Sequence, residues 1–125
     1  GHIRHHNVFH EKNEGWLFTG DLYVGVKQVV AFYDENMKDT IASLRQILNL
    51  DFDTVFCAHS GVVQDGKTAL RQKLDFLLEI QDKVNALRRQ GLNDREIDKR
   101  LYPRKLPIEI ASRGEWSTYN LVSTI

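Results

Sequence analysis

Leu70, Leu74, Leu77, Ile80, Val84 and Leu87 recur at steps of three and four. On a helix these positions form one apolar stripe. The spacing predicts a long amphipathic helix, closed by Gly91 as a C-terminal glycine. The stripe is too short for sustained heptads, so it reads as a core face rather than a coiled coil. Such a helix is not stable on its own, and the rest of the chain must offer a surface that covers the stripe.

That surface reads as a small sheet. Val8-Phe9 and Trp16-Leu17-Phe18 are aromatic and β-branched runs, and Lys12-Asn13-Glu14-Gly15 between them has the residues of a hairpin loop. The pattern predicts antiparallel strands over 6–11 and 16–21. Met37, Ile41, Leu44 and Leu48 predict a helix of about three turns. Asp53 to Cys57 is a short apolar strand that runs into the polar loop Ala58-His59-Ser60-Gly61. Asn93 with Glu96 has the form of a capping box before a short helix, which Pro103 follows. Ser112 with Glu115 repeats that signal before Trp116, Tyr119 and Val122, read as the last helix. The class is α/β in composition, more closely α+β. Few strands beside this much helix make an incomplete sheet, unless another chain or segment completes it.

Length and charge narrow the function. At 125 residues the chain is one domain, 1–125. Lys+Arg and Asp+Glu are equal at 17 each, so no bulk field draws the chain to nucleic acid or to an anionic membrane. No apolar run approaches the roughly 20 residues of a transmembrane helix, and the polar, His-rich start is unlike a signal peptide. Cys57 is the only cysteine, which excludes an internal disulfide and fits a reducing, cytoplasmic setting.

Three polar residues stand at strand ends. Asp21 follows Thr19-Gly20 at the end of one apolar run, His59 ends another, and His2 precedes the first strand. A carboxylate expected to be buried at Asp21 needs a counter-charge. Two histidines and an aspartate suit zinc better than calcium or magnesium. Taken singly, each residue has a plainer reading. Asp21 would be a turn residue, His59 a loop histidine, and Gly1-His2 a remnant of protease-tag removal. Cys57, two residues before His59, shares its strand face and is a core thiol or a further ligand.

The stretch GHIRHHNVFHEKNEGWLFTGDLYVG resembles the third and fourth motifs of the metallo-β-lactamase superfamily, a Gly-His-Ser-x-x-His segment followed by a strand ending in Thr-Gly-Asp. DTVFCAHSG resembles that family's last motif, a strand ending in a ligand histidine. The C-terminal stretch from Gly91 is also similar to the helical end of many bacterial members. The family's first motif, His-x-His-x-Asp-His, is absent from this sequence. The resemblance therefore implies the C-terminal half of a four-layer αββα sandwich. It implies His2 as a ligand of the first of two zinc ions, Asp21 as their bridge and the catalytic ligand, and His59 as a ligand of the second. His6 would support these ligands from behind, and Tyr23, two residues after Asp21 and so on its strand face, would line the pocket beside them. Ile3, Arg4 and His5 depart from the family's usual residues around the first ligand.

The activity this resemblance implies is hydrolysis of an ester, thioester, lactone, amide or phosphoester in a small molecule by a metal-bound hydroxide. The competing expectation is a non-catalytic fragment or interaction module that needs a partner half, either the N-terminal half of the same fold or a second copy. Val8, Trp16, Phe18 and Val55 are the residues expected on the face such a partner would cover.

Overall fold

The structure, a computed structural model, describes residues 6–125. Its elements run β1 (Phe9–Glu11), β2 (Trp16–Gly20), β3 (Ala31–Phe32), α1 (Met37–Ile47), β4 (Thr54–Cys57), β5 (Gly61–Val63), α2 (Gly66–Arg89), α3 (Asp94–Leu101), α4 (Pro107–Ala111), β6 (Trp116–Ser117) and α5 (Thr118–Thr124). The class is α+β.

Strands β1, β2, β4 and β5 form one sheet in that spatial order. The hairpin β1–β2 is antiparallel, with Phe9 opposite Phe18. β2 and β4 are parallel, Leu17 beside Val55 and Phe18 beside Phe56. β4 and β5 are antiparallel, Phe56 beside Val62. The crossover between β2 and β4 contains α1, as a parallel pair requires. A second, two-stranded sheet joins β3 to β6, with Phe32 opposite Trp116.

The leucine stripe of α2 does what its spacing predicts: Leu70, Leu74, Leu77, Ile80 and Val84 are buried. They share a core with Leu17, Val55, Met37, Ile41 and Leu44. The start of α2 abuts β4 so closely that a Cβ on Gly66 would overlap the Val55 side chain and come within 2.9 Å of the Val55 nitrogen. The helix ends in a Schellman motif at Gly91, with Leu92 N–H donating to the Leu87 carbonyl at 3.3 Å and Gly91 N–H to that of Arg88 at 2.9 Å. The capping box of α3 forms as read: Asn93 accepts from Arg95 and Glu96, and Glu96 accepts from the Asn93 N–H at 2.8 Å.

Only one face of the four-stranded sheet is covered by helices among the described residues. Leu17, Thr19 and Val55 point into the core. Phe9, Trp16, Phe18 and Val62 lie on the other face and are exposed. Phe56 shares that face, stacked on Phe18 at 4.8 Å and edge-on to Trp16 at 5.5 Å. The expectation for Trp16 and Phe18 fits this arrangement. Val55 is a correction: strand parity turns it toward α2, and Phe56 takes the outer position. Val8 is half-buried against the core.

Ser112 is a second correction. It is the C-cap of α4, and its hydroxyl accepts from the Trp116 N–H at 3.1 Å. The N-cap of the last helix is Ser117, which accepts from Asn120 N–H.

Candidate functional site

The end of β2 is built to turn sharply. Gly20 takes φ +51°, which favours glycine, and a Cβ there would fall 2.6 Å from His6 Nε2, so the imidazole would have to shift. Leu22 N–H donates to the Thr19 carbonyl at 3.0 Å and closes the turn that presents Asp21. The end of β4 is held alongside. Ala58 N–H donates to the Gly20 carbonyl at 3.2 Å, and Thr19 Oγ1 to the Phe56 carbonyl at 3.4 Å. His59 leaves the strand one residue later.

These two strand ends bring His59 Nε2 to 3.0 Å from Asp21 Oδ1. The side chains are 64% and 45% exposed, so the pair adds little to stability. The expected burial of Asp21 is corrected: the turn puts its carboxylate at the surface, and the residues after it, Leu22 and Tyr23, enter the core. Asp21 and His59, with Val24, Gln28 and Trp116, line a cavity of about 80 Å³. Among the described residues that line it, none is a lysine or arginine.

Behind the cavity lies a buried polar layer. Gln28 Nε2 donates to Glu35 Oε1 and to the Val30 carbonyl, both at 3.2 Å. Glu35 Oε2 accepts from the Phe32 N–H at 2.7 Å. Lys73, buried on α2, donates to the Leu22 carbonyl at 2.7 Å. Burial pulls its ammonium down to a pKa of about 8, against the opposing pull of Glu35 and Cys57. Burial, and then the nearby Cys57, push the Tyr23 phenol up. Cys57 Sγ accepts from the Ser60 N–H at 2.9 Å, which fixes the first turn of the His59 loop.

Of the residues singled out by sequence, Asp21 and His59 meet, and His6 packs its ring against Gly20 beside them. Tyr23 is buried in the core next to the turn. His2 lies outside the described residues. Among the described residues no three His, Cys, Asp or Glu side chains gather as a metal site would need. The two that do meet suit zinc in donor type, and their 3.0 Å separation is close to the roughly 3.3 Å between two ligands of one tetrahedral zinc ion.

Sequence reasoning missed Val24, Gln28, Glu35, Trp116 and Lys73. Lys73 had a readable signal: with Leu70, Leu74 and Leu77 it completes an i, i+3, i+4, i+7 face, so a lysine stands on the core side of α2. Trp116 had none, because the β3–β6 pair that brings it to the cavity is only two residues long.

No helix among the described residues is long and apolar enough to cross a membrane. No protein-family model matches the chain, and no curated protein sequence matches it.

Proposed function

We propose that the chain is the metal-binding C-terminal half of a metal-dependent hydrolase of the metallo-β-lactamase superfamily, the second half of its four-layer sandwich. The observation that carries this reading is the meeting of Asp21 and His59 at 3.0 Å from the ends of two adjacent parallel strands. A carboxylate and an imidazole held this close on the surface contribute little to the fold. Their value lies in what they bind together.

In this reading Asp21 and His59 would hold zinc, with His2 as a further ligand. Bound zinc supplies Lewis acidity toward a carbonyl or phosphoryl oxygen. The chain's own residues set the geometry. The Gly20 turn aims Asp21, the Cys57–Ser60 contact aims His59, and Val24 and Trp116 line the cavity beside them. The substrate would be an ester, thioester, lactone, amide or phosphoester. Zinc titration by calorimetry tests the reading. Weak binding is expected, since each site lacks ligands from the first motif, and Asp21→Asn and His59→Ala should each weaken it by about tenfold or more. Unchanged affinity in both variants would overturn it.

A second reading rests on a different observation. Phe9, Trp16, Phe18, Phe56 and Val62 make a continuous apolar face on the uncovered side of the sheet. Such a face marks an interface. The chain is then an interaction module that pairs with the N-terminal half of the same fold or with a second copy.

A further inference from the structure

Helix α2 carries one cation on its buried face. Lys73 is 1% exposed, and its Nζ donates to the Leu22 carbonyl at 2.7 Å. Burying an ammonium is costly, and a methionine of similar length would fill the same space without that cost. Packing alone therefore does not call for a lysine here. What the ammonium does is hold one carbonyl, and that carbonyl belongs to the residue after Asp21.

The turn is thus pinned on three sides. The Gly20 carbonyl is held by Ala58 N–H, the Leu22 N–H by the Thr19 carbonyl, and the Leu22 carbonyl by Lys73. Asp21 stands between the first of these contacts and the other two. Two acidic groups from other elements face the ammonium and favour its charged form: Glu35, from the turn after β3, and Cys57, on β4.

We propose that Lys73 is a positioning residue, which locks the Asp21 turn to helix α2 so that the carboxylate meets His59. The lock is a property of the turn itself. Only its bearing on metal binding rests on the hydrolase reading.

Lys73→Met, examined by amide hydrogen exchange and by zinc titration, tests it. The expected result is a folded protein of unchanged or higher global stability. In it the amides of Leu22 and Ala58 exchange about tenfold faster, α1 amides are unaffected, and zinc affinity falls. A merely structural lysine would change global stability and leave the turn's exchange relative to the core alone. A folded Lys73→Met protein with wild-type exchange at Leu22 and Ala58 would overturn the proposal. Should Lys73→Met fail to fold, Lys73→Leu, which likewise has no donor, is read in the same way. Failure of both to fold would also overturn it, by making Lys73 a requirement of the whole core. Absence of zinc binding by the wild-type protein would remove the hydrolase reading, while the exchange measurement still decides the role of Lys73.

Discussion

Phe18 and Phe56 stack at 4.8 Å, 15° from parallel, on the side of the sheet that no helix covers among the described residues. The pair joins neighbouring parallel strands, and Trp16 meets Phe56 edge-on. On a lone sheet this aromatic surface faces solvent. Phe18→Lys should keep the fold, because the ring is 40% exposed. It should also lower both self-association and binding of an apolar dye several-fold. Light scattering and dye fluorescence at matched concentration check both.

Lys73 gives stability an unusual alkaline profile. Its folded pKa of about 8 lies below the ordinary 10.5, so the unfolded chain holds the proton more tightly. Below pH 8 the buried charge is a full cost to folding. That cost is relieved as pH rises from about 8 toward 10.5, by about 3 kcal/mol in all. Tyr23 and Tyr102, both pushed up chiefly by burial, act oppositely above pH 10, where the unfolded chain loses its phenolic protons first. Urea midpoints should therefore rise between pH 8 and 10, and Lys73→Met should flatten that rise.

Gly66 is where α2 touches β4. Gly66→Ala forces a methyl into the Val55 side chain and backbone, with no flexible group to yield. The expected loss is about 1–3 kcal/mol, from overpacking. A lower denaturant midpoint at unchanged slope would show it.

Arg88 ties three elements together. Its guanidinium donates to Asp94 Oδ1 at 2.9 and 3.0 Å, to the Val122 carbonyl at 2.9 Å and to the Ile125 carbonyl at 3.1 Å. Arg88→Ala leaves those acceptors short of donors at the joint of α2, α3 and α5, at a cost of about 1–3 kcal/mol. Lys83→Ala breaks only an exposed pair with Glu79 on one helix, and should leave stability close to wild type. Thermal unfolding of the two variants separates them.

The elements that announced themselves in the sequence are those with several periods of pattern or a complete local signal. The stripe of α2, the Lys12–Gly15 hairpin and the Asn93–Glu96 box are of this kind. β3, β5 and β6 have three residues or fewer, too short for alternation to register. Ser112-x-x-Glu115 matched a capping box in spelling only. The chain there is leaving α4, with Arg113 at φ +53°, and the hydroxyl serves Trp116 instead. Asp21 and His59 were legible because each follows an apolar run into a polar loop. Gln28 and Glu35 were not, since their pairing depends on how the segment between β2 and α1 folds back on itself.

The parallel pairing of β2 with β4 also dictates when Asp21 and His59 can meet. A parallel pair cannot close through a tight turn, so the whole crossover with α1 must be in place first. The β1–β2 hairpin can form early and present Asp21, and β4–β5 can present His59, but neither local unit holds both. The chain entropy of bringing distant segments together makes such contacts slow to form. The pair is thus a late event in the folding of the chain. An ion that needs both groups in this geometry would find them together only once the crossover is in place.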